Sequence, residues 1–571
     1  MNPATDFVQM TEIKKPELTW EKLLSNVLIS NSKFFENIDN RDWCQLRQVS
    51  KRLYKSSMEG IMRLLLSHQH VHFRDLRTRL RKYHRMVDTS MMGCGKTYVS
   101  CALAKDLNIP ITVFAPTQTL PNWKQACKHF QIPFDRLHFH SYSEFQRKVK
   151  PYLEPLPDNE KPAFYLEEDC GMRASPEWIK RVKQGTLLVM DESHSLKNVS
   201  KRSSLAIILT QALFREGTEN SHLLLLSATP FDKPPHAIRL CRVMGIIKQQ
   251  NLARQDLRTW SLVEEGLTDL KDFCRSLWGQ SKYRSMEDNL LRHNYYYGRN
   301  SSSKQAFDYI IKFIKPKMMR SMSKVEYTFE TDKKNYFCHL EGADLEIVKG
   351  GVQQLQRAVA AFAMNNAAGL AVMGMNHGHL LASISKGMKT IEYGKVNTFV
   401  KIAKQALSMN PNQKVIIMLN YLEPIGLVTE RLKEYQPLVI QGKTAQLKRT
   451  EAVEKFQQTN SLHRIIICNL QLLALGVDLD DKDGRFPRQM IVSPSYHVVN
   501  LHQATGRVLR SDTKSKPYVR FLYIAQVSSE VRLLDRLAIK SNVIKSGLNY
   551  QVNLPGDYKK IYERPCDIPP E

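Results

Sequence analysis

The chain of 571 residues lacks the features that mark secreted and membrane proteins. Its ten cysteines form no CxxC pair and no cysteine–histidine cluster with zinc spacing, which argues against a disulfide framework and a structural zinc site. No apolar run reaches the ~18 residues of a membrane span, and Met1–Lys15 has no signal-peptide pattern. We therefore expect an intracellular protein of the cytoplasm or nucleus that is not secreted and does not enter a membrane.

Acidic residues are scarce relative to basic ones. The sequence contains 56 Asp and Glu against 83 Lys and Arg, which gives a formal net charge of +27. An excess of this size favours a polyanionic partner, above all nucleic acid, although some basic proteins are merely soluble. The length exceeds the ~250–300 residues at which a single core stops growing, so at least two domains are predicted.

One glycine-rich stretch, Ser90–Thr97, has the composition of a phosphate-binding loop. Glycines let backbone N–H groups surround phosphate oxygens, a lysine reaches the β- and γ-phosphates, and a hydroxyl binds Mg²⁺. The full pattern has a glycine where this chain has Ser90, so an ordinary glycine turn before a helix remains an alternative for the stretch alone. The candidate ATP-binding residues are Met92, Gly93, Cys94, Gly95, Lys96 and Thr97, with Thr97 also a ligand of Mg²⁺.

Two residues near this loop have further predicted properties. Gln69 precedes the loop by about the distance at which a glutamine amide could bind the adenine edge, although a polar residue on a solvated turn is an equal alternative. Cys94 stands at a helix N-terminus beside Lys96, which predicts a lowered thiol pKa and reactivity toward alkylating agents.

Strand-like apolar runs that end in small or acidic residues alternate with helical segments on both sides of the chain's middle. Such runs are typical of parallel strands buried on both faces, whose functional residues lie at the carboxyl ends. The predicted fold is α/β with two parallel-sheet domains. The predicted divisions are a helical segment (1–60), a first ATP-binding domain (61–245), a mostly helical region (246–390), a second α/β domain (391–530) and a C-terminal extension (531–571).

Asp191 and Glu192 end one of these apolar runs, 95 and 96 residues after Lys96. Phosphoryl transfer to water requires a carboxylate that holds Mg²⁺ and a second group that orients the attacking water. We assign the first role to Asp191 and the second to Glu192.

The phosphate loop, the acidic pair and several other short motifs follow one another along the chain. Their order resembles that of the motifs of superfamily two helicases and translocases. The variants Asp191–Asn198, Trp123 after Ala115–Thr117, and Ile391–Lys395 look like the chromatin-remodelling-type translocases and the related helicases of large DNA viruses. The resemblance implies two tandem RecA-like domains that bind ATP and Mg²⁺, movement on nucleic acid with DNA favoured over RNA, and, for a viral protein, location in a viral factory or virion. The remaining matched blocks are Ser227–Thr229, Gly442–Thr444, Leu475–Leu479 and Gln503–Arg510.

The same resemblance implies specific roles in the second domain and between the domains. Arg507 and Arg510 would act as arginine fingers beside Gln503, because forked guanidinium donors suit the charge on the transferring phosphoryl oxygens. A salt bridge to a neighbour such as Asp512 is the alternative for each arginine. The resemblance further implies nucleotide contacts from Gly476 and Asp478, and coupling of closure to movement through His194, Ser227 and Thr229.

Three functions remain open from the sequence. The first is an ATP-dependent helicase or translocase, the second a nucleic-acid-stimulated ATPase without unwinding, and the third a non-catalytic scaffold. The third depends on Leu46–Leu53, which resembles the end of an F-box and could bind a protein partner, although a helical cap is an alternative. Ile311–Lys324 and Tyr295–Arg299 could contact nucleic acid or form a mixed core-and-surface segment. We expect a monomer.

Overall fold

A computed structural model describes residues 58–143, 152–155, 171–249, 252, 254–255, 262–296, 302–322, 328–367, 377–442, 444–459, 462–470, 478–510 and 513–547. In these residues two six-stranded parallel sheets, each flanked by helices, form two α/β units. This confirms the predicted fold class of two tandem RecA-like domains. The F-box-like run, Gly476 and Asp512 lie outside the described residues.

Ten strands and ten α-helices of the first unit lie wholly within the described residues. Its strands are β1 (Arg85–Asp88), β2 (Ile111–Ala115), β3 (Leu137–Ser141), β4 (Leu153–Pro155), β5 (Met172–Ala174), β6 (Thr186–Met190), β7 (Ser221–Leu226), β8 (Arg254–Gln255), β9 (Leu262–Val263) and β10 (Met319–Arg320). Its helices are α1 (Ser67–Tyr83), α2 (Lys96–Leu107), α3 (Leu120–His129), α4 (Pro176–Gln184), α5 (Lys201–Glu216), α6 (Pro234–Val243), α7 (Glu265–Trp278), α8 (Gln280–Tyr296), α9 (Ser302–Tyr309) and α10 (Lys315–Met318).

The first sheet has the strand order β10-β1-β7-β6-β2-β3. Strands β2, β6 and β7 are buried along their whole length, because helices cover both faces of the sheet. Their carboxyl ends therefore lie at one edge, where polar residues follow the apolar strands. Asp191 follows β6 and Ser227 follows β7, so this edge brings two of the predicted site segments together.

The second unit contains six strands and seven helices among the described residues. Its strands are β11 (Asp332–Cys338), β12 (Lys414–Leu419), β13 (Leu438–Ile440), β14 (Ile465–Asn469), β15 (Arg488–Val492) and β16 (Tyr518–Ile524), in the sheet order β11-β16-β15-β12-β14-β13. Its helices are α11 (Gly342–Ala367), α12 (His377–Gly394), α13 (Val396–Met409), α14 (Leu422–Arg431), α15 (Gln446–Gln457), α16 (Val498–Thr505) and α17 (Ser528–Gly547).

The helical region predicted between the domains is divided between the two units. β10 pairs with β1 of the first sheet, whereas β11 pairs with β16 of the second. Side chains of α7 and of the π-helical turn 310–314 lie in the first core, where Leu267 and Phe313 are fully buried. The sequence boundaries at 245 and 391 therefore do not coincide with the sheets, because an apolar helix face does not show which core it covers.

Helix α17 contacts both units. Leu533, Leu537 and Ile544 belong to the core of the second unit, and Val543 packs against the core of the first. The C-terminal extension thus begins as a helix that joins the two units. None of the helices in the described ranges is both long and apolar enough to cross a bilayer.

Candidate active site

The loop between β1 and α2 has the backbone geometry of an anion-binding turn. Gly93 and Gly95 adopt φ of 79° and 87°, a region that side chains other than glycine rarely enter. Helix α2 begins at Lys96, and Thr97 lies in its first turn. The Lys96 ammonium donates to the carbonyls of Ser90 and Met91, at 2.9 and 3.1 Å. The lysine is thus held inside its own loop, where phosphate oxygens would compete with those carbonyls.

Ser90, which replaces the expected glycine, anchors the loop through its side chain. Its hydroxyl and backbone N–H both donate to Asp88 Oδ1, at 2.5 and 2.9 Å, and its hydroxyl accepts from the Met322 N–H at 2.8 Å. The other oxygen of Asp88 lies 3.1 Å from His72 Nε2. Burial would raise the pKa of Asp88, but His72, Lys96 and Ser90 together lower it. The departure from the pattern therefore has a structural use that was not apparent in the sequence.

Gln69 lies against the phosphate loop, but protein groups occupy its amide. Its Nε2 donates to the Cys94 carbonyl at 3.0 Å, and its Oε1 accepts from the Leu66 N–H at 3.0 Å. A Cβ added to Gly95 would lie 2.1 Å from that Nε2. In this arrangement Gln69 holds the loop, while its second N–H and second oxygen lone pair are not used by these two bonds; its contact with an adenine edge stays a prediction.

The prediction that Cys94 has a lowered pKa is wrong. Burial raises the pKa of the Cys94 thiol, which the charge of Lys96 only partly offsets. The side chain is 2% exposed. A buried neutral thiol is a poor nucleophile, so the helix N-terminus does not make this cysteine reactive.

The acidic pair follows β6 at the carboxyl edge of the first sheet. The Asp191 carboxylate accepts from Trp123 Nε1 at 2.9 Å, and its other oxygen accepts from the Glu192 N–H at 2.9 Å. Glu192 has φ 48°, a strained left-handed conformation for a side chain of this size. Trp123 was named from the sequence only as part of a motif, and its hydrogen bond to Asp191 appears only in the fold.

The two carboxyl groups have opposite pKa shifts. Burial and the charge of Glu192 raise the pKa of Asp191 to about 6, against the opposing effect of Trp123. Burial also disfavours the charged form of Glu192, but its hydrogen bond and charge interaction with His194, with Lys96 and Arg507 beyond, lower its pKa. The pair therefore presents two carboxyls of different basicity at one strand end, which suits a division of roles.

A short chain of polar groups connects the acidic loop to the end of β7. His194 Nδ1 lies 3.2 Å from Glu192 Oε2 and 3.4 Å from Ser227 Oγ. The Ser227 hydroxyl in turn accepts from the Thr229 N–H at 3.2 Å. Thr229 Oγ1 is buried without a hydrogen-bond partner. Of the three residues predicted to couple closure to movement, His194 belongs to the acidic loop, Ser227 contacts His194, and Thr229 contacts Ser227.

The second unit contacts this site through the segment that contains α16. Gln503 Nε2 donates to Glu192 Oε2 at 3.2 Å and lies 3.4 Å from His194 Nδ1. Arg507 is 8% exposed. Burial lowers its pKa to about 10, while the charge of Glu192 opposes that shift. Two segments separated by 311 residues therefore form one site.

Arg510 lies over the phosphate loop but is bound to an acid of its own unit. Its Nε and a terminal nitrogen donate to Asp478 Oδ1 at 2.8 and 2.5 Å. Its Cδ lies 3.2 Å from the position that a Cβ on Gly93 would take. A Cβ on Gly506 would likewise lie 2.8 Å from Met92 Cε. The salt-bridge alternative thus describes Arg510 here, with Asp478 as the partner.

Comparisons with known proteins agree with this arrangement. Residues 395–512 match the family model described as the helicase conserved C-terminal domain. A protein of Acanthamoeba polyphaga mimivirus, provisionally named as an ATP-dependent RNA helicase, is 24% identical over 515 residues, which covers 86% of each chain. These two matches support an ATP-hydrolysing superfamily two helicase, whose cofactor is ATP with Mg²⁺.

The residues of the helicase site fit that cofactor. The glycine turn, Lys96 and the start of α2 suit the phosphates, whereas Thr97 and Asp191 offer the oxygen ligands that Mg²⁺ prefers. Gln503 Oε1 and Thr229 Oγ1 are buried without hydrogen-bond partners, which is expected of groups that face a polar ligand. When bound, ATP supplies the phosphoryl group and Mg²⁺ supplies the charge that stabilises its transfer.

Proposed function

We propose that this helicase couples ATP hydrolysis to closure of its two units and thereby moves along nucleic acid, with double-stranded DNA as the track. The observation that supports the proposal most is the 3.2 Å hydrogen bond between Gln503 and Glu192. A group of the second unit contacts the acid that would orient water in the first. Hydrolysis would therefore depend on the angle between the units.

Each residue of the site has a role in this proposal. Lys96 leaves the carbonyls of Ser90 and Met91 and neutralises charge on the phosphates. Glu192, whose lowered pKa keeps it ionised, orients the attacking water. Arg507 lies close enough to Glu192 to interact with its charge. It stabilises the negative charge that develops on the phosphoryl group during transfer, as arginine fingers do.

Arg510 would change partners during the cycle. In the structure its guanidinium is bound to Asp478, while its aliphatic part lies over Gly93. Rotation of the guanidinium away from Asp478 would direct it toward the loop without moving the backbone. Asp478 then acts as the resting partner of Arg510, in addition to the nucleotide contact that the family resemblance implies.

The coupling from site to track would pass through His194 and Ser227. His194 lies between Glu192 and Ser227 and also within 3.4 Å of Gln503. A change at Gln503 on closure thus reaches the end of β7 through two contacts. The alternative of a nucleic-acid-stimulated ATPase without unwinding uses the same contacts, and the intact Lys96, Asp191 and Glu192 argue against a non-catalytic scaffold.

RNA is the second candidate for the track. The similarity to chromatin-remodelling-type translocases favours duplex DNA, whereas the mimivirus relative is provisionally named as an RNA helicase. The excess of basic residues supports either polymer.

The deciding experiment measures ATPase rates without polymer, with duplex DNA, with single-stranded DNA and with RNA, across a salt series. We expect stimulation by duplex DNA that falls steeply as salt increases, because phosphate contacts release counterions. A larger stimulation by RNA than by duplex DNA would identify RNA as the track. ATP turnover that ignores every polymer would contradict the proposal, and a strand-displacement assay would separate unwinding from translocation.

A further inference from the structure

The second unit contains a cavity that the ATP site does not use. Its volume is about 380 Å³, within the ~300–1,000 Å³ of typical small-molecule sites. Its lining includes Gln413, Pro487 and Tyr518. These residues lie at the amino ends of β12, β15 and β16, whereas the helicase motifs follow the carboxyl ends of strands. The cavity is therefore separate from the site around Gln503.

The floor of the cavity is one face of the second sheet. Tyr518, Arg520 and Leu522 alternate along β16, so their side chains point to the same face. Tyr336 of β11 pairs with Leu522, and Gln489 of β15 pairs with Tyr518. Three adjacent strands thus present two tyrosines, an amide and an aliphatic side chain to the same space.

The roof of the cavity is helix α13. Two rows of side chains face the sheet, each with a spacing of four residues that places its members on one side of a helix. The first row is small or aliphatic, and the second is longer and nearer the solvent. The rows are Thr398, Ile402 and Ala406, and Lys401, Gln405 and Met409.

The cavity exists because the small residues of α13 face the amino half of the sheet. Toward the carboxyl half, Phe399, Ala403 and Ile417 pack in a continuous core. Beside it, Ala406 and Thr398 line the open space together with Tyr336 and Tyr518. Well-packed interiors contain few voids larger than a water molecule, so an open space of this size beside a filled core suits a ligand.

The charge of the lining is positive and of one sign. The sixteen lining residues, all of which the structure describes, include Lys401 and Arg520 but no Asp or Glu. Arg520 is neutralised, because it donates to Asp332 and to the Tyr336 hydroxyl. Within the described part of the chain no ion pair engages Lys401, whereas Lys404 of the same helix is paired with Glu434 at 2.6 Å.

We propose that this cavity binds a small amphipathic anion, such as an aromatic carboxylate or sulfonate. Its flat apolar body would lie between α13 and the tyrosines of the sheet, and its anionic group would pair with Lys401. Ile402, Ala406 and Leu522 supply the apolar contacts, and the amides of Gln405 and Gln489 can donate to the anion. This inference is independent of the proposed nucleic-acid track.

The test compares two fluorescent probes with the same apolar body. 1-Anilinonaphthalene-8-sulfonate has an anionic sulfonate, and N-phenyl-1-naphthylamine lacks it. We expect one saturable site on the full-length protein for each probe, with the anion bound more tightly. Ala406→Phe, which fills the cavity, should abolish this site for both probes, whereas Ser408→Phe on the exposed side of α13 should preserve it.

Substitution of Lys401 tests the contribution of its charge to binding without filling the cavity. Lys401→Gln should weaken the sulfonate about threefold, the size of an exposed ion pair, and leave the neutral probe unchanged. Lys404→Gln, which removes a lysine that is paired with Glu434, should leave both affinities unchanged.

Three results would overturn the proposal. Saturable binding of both probes that persists in Ala406→Phe would place the site elsewhere. Equal affinities of the two probes in the wild type, or equal weakening of both by Lys401→Gln, would exclude an anion site. Because Ala406→Phe could disturb folding, thermal melting and retained ATPase activity accompany each titration, and Lys401→Gln, which leaves Ala406 in place, gives the second, independent arm.

Discussion

The two α/β units differ in what they place at the N-terminus of the helix after a buried central strand. In the first unit β1 leads through a glycine turn to α2, and no protein carboxylate among the described residues accepts from the N–H groups of Gly93–Thr97. In the second unit β12 leads to α14, where the Glu392 carboxylate accepts from the N–H groups of Asn420 and Tyr421. A helix N-terminus attracts anions. The first unit leaves that position for phosphate, and the second fills it with its own acid.

This difference explains why two units of similar architecture have unequal roles. The first unit provides the phosphate loop and the acidic pair. The second unit places Arg507 near Glu192 of the first unit, whereas its buried Lys395 is paired within the unit, at 2.5 Å from Glu530. In the proposed function these two units form one composite ATP site, with one wall from each unit.

The largest expected effect comes from a substitution on the second unit's side of the proposed ATP site. Arg507→Ala should lower kcat by about 10³-fold, the lower end of the range for an arginine finger, with little change in ATP affinity, because the phosphate loop stays intact. Single-turnover ATPase rates and a binding titration with a fluorescent ATP analogue measure the two quantities. A matched Arg431→Ala on α14, away from the seam, should leave both unchanged, and a loss of affinity equal to the loss of rate would contradict the division between walls.

A substitution in the phosphate loop, on the first unit's side of the proposed site, should affect both hydrolysis and ATP binding. Lys96→Ala removes the cation that faces the phosphates, so we expect ATP hydrolysis to fall by ~10²–10³-fold, accompanied by weaker ATP binding. Lys105→Ala at the other end of α2, where the ammonium contacts the Phe130 carbonyl, serves as the control for helix stability. Nucleotide binding that survives Lys96→Ala undiminished would show that the loop does not hold the phosphates.

Glu392→Gln tests whether the filled helix N-terminus is structural. The charged carboxylate accepts from Asn420 and Tyr421, and its replacement should lower the free energy of unfolding by about 2 kcal/mol, the value for hydrogen bonds to a charged group. Urea denaturation measures this change. We expect no new nucleotide site in the second unit, so stoichiometric binding of a second ATP in this variant would break the comparison.

Buried histidines should make both units sensitive to acid. Burial lowers the pKa of His222 in the first unit to about 4 and that of His502 in the second to about 3. Because the folded state favours the neutral ring, each contribution is complete above the unfolded pKa of ~6.5 and is lost as pH falls toward the folded pKa. The slope for one such group is about 1.4 kcal/mol per pH unit at most.

His222→Phe keeps a ring stacked on His84, 5.1 Å away in the wild type, and removes the titration. Urea midpoints between pH 7 and pH 4 should fall less steeply in this variant than in the wild type. His502→Phe should act in the same direction for the second unit, and identical slopes in all three proteins would show that neither ring is held neutral.

Much of the fold could be predicted from local pattern. Continuous apolar runs that end in Asp191 or Ser227 indicate buried parallel strands, because only strands covered on both faces tolerate such runs. The glycines and Lys96 likewise indicate a phosphate loop from their own spacing. Ser90 could not be interpreted in this way, because its hydrogen-bond partners come from two parts of the chain. Asp88 is the last residue of β1, and Met322 follows β10.

For the pKa of Cys94, the local sequence predicted the wrong direction of the shift. The sequence places the thiol at a helix N-terminus beside a lysine, which favours the thiolate. Burial outweighs that effect and raises the pKa. Burial is a property of the packed loop, so neighbours in sequence could not reveal it.

The sequence by itself determined two parallel-sheet units, the order of the motifs and the residue types predicted to bind phosphate and Mg²⁺, because periodicity and short spacing are local. The tertiary structure decided which core each middle helix joins, how Asp478 holds Arg510, and where Ala406 leaves a cavity. It also decided that Gln503 meets Glu192. Contacts between residues hundreds of positions apart depend on how complete units pack, and no local pattern in the chain records that packing.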